Sequence, residues 1–189
     1  MLDRLRERLE GTLEKIGRLF SRIVGNPIVW TIAGFLFSLL SGISFSSEVS
    51  GRQIIGGVMV LFSGSFDVVD GAVARVTGKT SKSGAFLDST LDRLAEVAVF
   101  VGILGGNLAP PVIVVLALSL SLLVSYARAK GDALGVNLSG IGIGERSERM
   151  LILALFSIAG YVALGVALVA LVAGYTFIER SYRALGLLS

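Results

Sequence analysis

Long apolar runs separated by short polar segments make up most of the chain, and its first 23 residues depart from that pattern. Leu2, Leu5, Leu9, Leu13, Ile16, Leu19 and Ile23 recur at helical spacing, with Arg4, Arg6, Glu7, Arg8, Glu10, Glu14, Lys15, Arg18 and Arg22 between them. Apolar residues on one face and charges on the other predict an amphipathic helix lying in a membrane interface. A coiled-coil or dimer helix would show the same stripe. A signal peptide would not, because it places a short basic end before a continuous apolar block.

Asn26-Pro27 opens the first uncharged run, Ile28 to Phe45, with Pro well placed at a helix start. The run is long enough to span a bilayer. A second run, Gln53 to about Val76, is apolar in its first half and then carries Asp67, Asp70 and Arg75. Thr77 to Gly84 reads as a polar loop. Ala85 to Leu108 begins with Asp88, Asp92, Arg93 and Glu96 and then becomes wholly apolar. Pro110-Pro111 opens a fourth span ending near Tyr126, and a polar, Gly-rich segment runs from Arg128 to Arg149. Met150 to Ile178 carries no charge. As one helix it would be about 44 Å long against a hydrocarbon core of about 30 Å. A steep tilt would absorb the excess, or a break near Gly160 to Gly165 would make two helices.

Charge placement decides between these. With six spans, every Lys and Arg except Arg52 falls on one side; with five, Arg180 and Arg183 cross over as well. Because basic residues favour the cytoplasmic side, the expected architecture is an all-α integral membrane protein. Residues 1–23 form the interfacial helix and residues 24–189 a six-span membrane domain. Both termini then face the cytoplasm, with the cell membrane as location.

Composition narrows the chemistry. The 189 residues are 53% hydrophobic and 16% charged, with a mean hydropathy of +0.81. Soluble domains carry about 25% charge. There is no Cys and no His, which removes thiol catalysis, Cys-ligated zinc and the commonest general base. Any reaction must use carboxylates, hydroxyls, Lys or Arg. A formal charge of +3 on a membrane protein points to an anionic lipid or nucleotide rather than to nucleic acid. The 24 Gly residues suit closely packed membrane helices.

The few acids in the apolar runs mark the site. In the six-span topology Asp67, Asp70, Asp88 and Asp92 all lie near the cytoplasmic ends of the second and third spans. Asp67 sits roughly 12 Å below the loop, a depth at which a charge is expensive and usually functional. Spacings of three and four residues put each pair on one helix face. The short connection makes the two helices antiparallel neighbours, so the four carboxylates converge. Oxygen-only ligands select hard divalent cations such as Mg²⁺, Mn²⁺ or Ca²⁺. Two such ions would suit phosphoryl or pyrophosphate chemistry. Salt bridges to Arg75 and Arg93 are the plain alternative, but two cations cannot neutralise four Asp and Glu96.

The full spacing is Asp67-x-x-Asp70-Gly71-x-x-Ala74-Arg75, eight residues, then Gly84-x-x-x-Asp88-x-x-x-Asp92. It resembles the signature of the CDP-alcohol phosphatidyltransferases at every signature position. Pro27 and Thr31 match the family's opening of the first span; the Asn that often follows that Pro is Ile28 here, and Asn26 precedes it. The resemblance implies attack of an alcohol hydroxyl on the β-phosphorus of a CDP-linked lipid, with release of CMP. It implies metal binding by Asp67, Asp70, Asp88 and Asp92, with Asp92 as the base. It also implies a nucleotide site at Pro27, Thr31, Asp67, Gly71, Ala74, Arg75 and Gly84. Apolar grooves between spans would hold the lipid tails, and family members are often homodimers.

For the acceptor, Ser125-Tyr126-Ala127-Arg128-Ala129-Lys130 and Glu145-Arg146-Ser147-Glu148-Arg149 are similar to the family's inositol-phosphate branch, its archaeal members most of all. That similarity implies an acceptor phosphate held by Arg128, Lys130, Arg146, Arg149 and Arg180. The donor would be CDP-archaeol or CDP-diacylglycerol. Positive-inside placement alone would produce the same basic residues. Transfer to glycerol 3-phosphate is the alternative within the family, and divalent-cation transport the alternative outside it.

Overall fold

The computed structural model describes residues 2–188, with side chains from Glu10 to Leu188. The side chains of Leu2, Arg4, Leu5, Arg6, Glu7, Arg8 and Leu9, part of the amphipathic pattern, lie outside the described residues. Seven helices follow in order, with no strand among the described residues. They are α1 (Leu2–Ile23), α2 (Pro27–Ser46), α3 (Arg52–Thr77), α4 (Lys82–Gly105), α5 (Pro111–Ala133), α6 (Arg146–Ile158) and α7 (Val162–Leu188).

Local chemistry sets the boundaries that matter for the site. The Asn26 carboxamide oxygen accepts from the Ile28 amide at 3.2 Å, so α2 starts on a capped end with Pro27 in its first turn. Asn26 is thus a helix cap. Gly78 ends α3 with φ +65, and the Lys79 amide returns to the Ala74 carbonyl at 3.1 Å. Only Gly can take that left-handed position cheaply. The Ser81 hydroxyl accepts from the Gly84 amide at 3.0 Å and starts α4. The polar segment expected over Thr77 to Gly84 is therefore a shorter connection, residues 78–81.

The uncharged run from Met150 onward is broken. Gly160 has φ +83, and the Tyr161 amide reaches back to the Phe156 carbonyl at 2.7 Å, closing α6 before α7 begins. The polar segment expected from Arg128 to Arg149 is also shorter. Helix α5 continues to Ala133 and α6 begins at Arg146, because charges at the end of a membrane helix extend it into the polar layer instead of ending it.

Four helices are long and apolar enough to cross a membrane: α2, α3, α5 and α7. Helix α4 carries its acids in its first turns. Helix α6 has 13 residues, about 20 Å at 1.5 Å per residue. The six expected spans therefore exceed the four that length and apolarity identify.

Helix α2 packs along both α3 and α4, while α3 and α4 touch each other only sparingly. They are not the closely packed neighbours that the short connection implied; α2 fills the space between them, and their polar ends face each other across a gap. Helix α5 packs on α7, and α6 on α3 and α7. The core gathers Phe45, Val60, Val99, Phe100, Ile103, Val114, Leu153 and Val166 from six helices. Helix α1 lies against α3 at Gly17, where a Cβ would come within 2.5 Å of the Ala72 carbonyl oxygen. Phe20 meets Trp30 edge-on at 5.1 Å, and Trp30 stacks on Phe66 at 5.8 Å. Leu19 and Ile23 of α1 remain exposed.

Candidate metal centre

Asp67 and Asp70 share one face near the end of α3, and Asp88 stands on the second turn of α4 across the gap. One carboxylate oxygen from each lies within 4.8 Å of the others. Asp70 is buried and the other two are half-buried. Asp70 Oδ2 and Asp88 Oδ1 are shielded from solvent and have no hydrogen-bond partner. A buried carboxylate oxygen without a donor is costly. Oxygens that converge and lack donors fit a hard divalent cation.

Asp92 lies one turn beyond Asp88, outside that group of three. Its Oδ1 forms an ion pair with Arg146 Nη1 at 2.6 Å, and its Oδ2 accepts from Arg93 Nη1 at 3.3 Å. The same Arg146 nitrogen is 3.5 Å from Asp67 Oδ2. Arg146, read from sequence as an acceptor-site cation, thus sits among the carboxylates and bridges α3 and α4 from the start of α6. Of the two arginines in the plain salt-bridge alternative, Arg93 touches Asp92, its own chain neighbour.

A groove of about 160 Å³ opens beside the three carboxylates. Pro27, Thr31, Gly71, Ala74 and Gly84 line it with Asp70 and Asp88. Its wall at Gly71 is flat by composition: a Cβ there would meet only the Arg75 guanidinium, at 3.6 Å. Lys79, Thr80 and Ser81 complete the rim, and Lys79 Nζ donates to the Gly25 carbonyl at 2.9 Å. These three were not singled out in the sequence. A Ser three residues before Gly84 was the available signal, as a helix cap. The Arg75 guanidinium, next to Gly71, also lines a cavity between α1 and α3 with Glu10 and Glu14. A second groove of about 260 Å³ runs between α3 and α6 from Asp67 and Arg146 along Val60, Leu61, Val68, Met150 and Leu151.

The remaining expected acceptor residues separate into two groups. Arg128 and Lys130 are exposed on the last turns of α5. Arg149 and Arg180 lie inside the protein. Arg149 is fully buried; its Nε and Nη2 donate to Glu96 Oε1 at 3.2 and 2.7 Å, and its Nη1 donates to the Gly144 carbonyl at 2.6 Å. Arg180 donates to the Ile141 and Val124 carbonyls and to Glu145. Glu96, counted in the sequence only as surplus charge, is the buried partner that makes an internal Arg149 tolerable.

Comparison with known proteins places this geometry. Residues 25–179 match the family model described as CDP-alcohol phosphatidyltransferase. The archaetidylinositol phosphate synthase of Pyrococcus horikoshii is 39% identical over 184 residues, 97% of this chain and 96% of that protein. The phosphatidylinositol phosphate synthase of Corynebacterium glutamicum is 32% identical over 181 residues, 89% of this chain and 81% of that one. Among solved structures, Mycobacterium tuberculosis phosphatidylinositol phosphate synthase in complex with manganese and citrate superposes with a TM-score of 0.78 at 28% identity, covering 92% of this chain and 88% of that chain. The same enzyme with CDP-DAG bound gives 0.76, covering 91% and 92%. The chain belongs to the CDP-alcohol phosphatidyltransferase family and is a CDP-alcohol phosphotransferase.

Proposed function

We propose that this chain transfers the lipid phosphate of CDP-archaeol, or of CDP-diacylglycerol, to a hydroxyl of inositol phosphate, releasing CMP. The observation that carries the reading is the convergence of Asp67, Asp70 and Asp88, with orphaned buried oxygens, beside a groove with a flat Gly71–Ala74 wall. The inositol phosphate acceptor and the archaeal donor are supported by the names of two relatives, one matching 97% of the chain and the other 69%.

In the proposed reaction the acceptor hydroxyl oxygen bonds to the β-phosphorus and the bond to the bridging CMP oxygen breaks. Asp92 takes the hydroxyl proton, since no His is available and Asp92 lies next to the carboxylate group without belonging to it. Mg²⁺ or Mn²⁺ ions, two by analogy with paired-metal phosphoryl chemistry, would neutralise charge developing on the pyrophosphate oxygens. Asp67, Asp70 and Asp88 would hold them, with Asp92 at the edge. Pro27, Thr31, Gly71, Ala74 and Gly84 would seat the nucleotide, and the α3–α6 groove would take lipid tails. Arg128, Lys130, Arg146, Arg149 and Arg180 would hold the acceptor phosphate.

In the membrane we place six spans, α2 to α7, with α1 lying in the cytoplasmic interface. The carboxylate site opens to the cytoplasm, where soluble acceptor and CMP exchange, and the chain pairs as a homodimer. The deciding experiment is an acceptor panel: inositol 1-phosphate, glycerol 3-phosphate, inositol and serine, each with CDP-archaeol and CDP-diacylglycerol, scored by metal-dependent CMP release. Preference for inositol 1-phosphate is expected. Preference for glycerol 3-phosphate would move the chain to the phosphatidylglycerophosphate branch. Mn²⁺ flux into vesicles without CMP release would remove the enzyme reading.

A further inference from the structure

The glycines inside α3, Gly56, Gly57, Gly64 and Gly71, lack side chains for different reasons. A Cβ on Gly56 would strike the Phe45 ring at 2.5 Å, and one on Gly57 would lie 2.8 Å from the Ala154 carbonyl oxygen of α6. Gly71 forms the flat wall beside the carboxylates. A Cβ on Gly64 would meet nothing within 4 Å. Glycine inside a helix is unfavourable relative to alanine, and no packing contact accounts for it at this position.

Gly57, Leu61, Gly64 and Val68 share one face of α3, since they follow at helical spacing. At Gly57 that face is pressed against α6 by Ala154 and Ser157. Toward Asp67 the two helices part, and the groove of about 260 Å³ lies in the opening. Gly64 stands on its α3 wall, with Ser147, Met150 and Leu151 on its α6 wall. Asp67 and Arg146 stand at its head. The contact at Gly57 lies just beyond Val60, about 15 Å along the helix axis from Asp67. Gly64 is only one turn from Asp67, about 4.5 Å along the axis, so it borders the first part of any chain that leaves the carboxylates.

A molecule that fills an apolar groove headed by carboxylates and an arginine joins a hydrocarbon chain to an anionic head, as the lipid donor does. The two donors differ in the width of that chain. Saturated acyl chains are straight and slim. Isoprenoid chains carry methyl branches at regular intervals from the head end onward. The branches need space beside the first part of the chain, where Gly64 leaves it. Met150, on the other wall, is unbranched and adapts to irregular shapes. We propose that Gly64 is a specificity-determining residue, admitting a methyl-branched isoprenoid chain of the CDP-linked donor. The inference rests on the reaction and the tail groove proposed above, and it chooses between the two donors.

The test measures CMP release from three donors, with the acceptor that the panel above selects. The donors are CDP-archaeol, a CDP-linked glycerol diether with straight alkyl chains, and CDP-diacylglycerol. The straight diether separates branching from the ether linkage. Gly64→Leu is expected to lower kcat/KM for CDP-archaeol roughly 10- to 200-fold, and for both straight-chain donors less than about threefold, as for a group that no longer fits an apolar pocket. Gly64→Ala is expected to give the same order of donors with smaller losses. Both variants are expected to melt no lower than wild type, because the added atoms meet open space and favour the helix. Equal losses with all three donors, or no loss with CDP-archaeol in Gly64→Leu, would overturn the inference. So would a lower melting temperature in both variants, which would make Gly64 a packing residue. Release from straight-chain donors but not from CDP-archaeol in wild type refutes the inference alone. Absence of release from wild type with every donor and acceptor refutes the reaction and the inference together.

Discussion

Gly71 allows the fold and the function to be perturbed in opposite directions. It lies inside α3, where Gly is less favourable than Ala by about 0.5–1 kcal/mol. The nearest atoms to a Cβ there are Arg75 Nη1 at 3.6 Å and Nη2 at 4.0 Å, ordinary contacts to the end of a flexible side chain. Nothing in the packing demands Gly, so Gly71→Ala is expected to hold or raise the melting temperature. The added methyl, however, projects where Gly71 lines the groove of about 160 Å³ beside Asp70 and Asp88. Displacing the nucleotide by about 1 Å from the metal ligands is worth up to about 100-fold in rate. Gly71→Ala is therefore expected to lower kcat/KM for CDP-lipid about 10- to 100-fold, or roughly 1.4–2.7 kcal/mol, and Gly71→Leu to lower it further. Melting followed by light scattering in detergent and steady-state CMP release measure the two effects separately. A fall in melting temperature would show Gly71 to be a packing residue. Unchanged kcat/KM in Gly71→Leu would show that the groove does not receive the nucleotide.

Three further outcomes are expected. Asp92→Asn should lower CMP release about 10²- to 10⁴-fold while Mn²⁺ affinity, read by paramagnetic resonance, stays near wild type. A loss of affinity equal to that of Asp67→Asn would make Asp92 chiefly a metal ligand. Gly102→Leu should destabilise by at least about 1–3 kcal/mol, because even its Cβ would fall on the Gly42 backbone; an unchanged melting temperature would contradict that contact. Ser81→Ala should cost about 1 kcal/mol by uncapping α4, visible as a melting temperature lower by a few degrees, and a neutral result would show that the Gly84 amide finds water instead.

The apolar runs made five helices legible because a membrane span needs sustained hydrophobicity, and the break after Ile158 was legible as one of two ways to fit an overlong run. The polar stretch around Arg128 and Arg149 misled because charge was taken as loop, whereas Arg128 and Lys130 ride on the last turns of α5. The signature Asp spacings placed the carboxylates on shared faces without any fold knowledge. Sequence could not show that α2 separates α3 from α4, which is a packing outcome and creates the groove. Nor could it sort five similar cations into Arg146 at the carboxylates, Arg149 and Arg180 inside, and Arg128 and Lys130 outside. Such sorting depends on partners distant in the chain, such as Glu96, 53 residues before Arg149.

One-sidedness separates group transfer from ion transport. An ion pathway needs polar groups continuing past the carboxylates toward the far end of α3 and α4. A polar seam does run from the site between α2 and α3, but its hydroxyls are committed. Ser38 and Ser63 bond each other at 2.7 Å, Ser41 donates to the Gly56 carbonyl, and Ser44 to the Arg52 carbonyl. Beyond them Phe45, Val60, Phe100 and Ile103 are all buried, and a Cβ on Gly56 would strike the Phe45 ring at 2.5 Å. The open volume that does lead onward from Asp67, the groove between α3 and α6, runs along Val60, Leu61, Val68, Met150 and Leu151, side chains that offer a cation no ligand. In the reaction proposed above, a cation held by these carboxylates would enter and leave from the side on which the acceptor and CMP exchange.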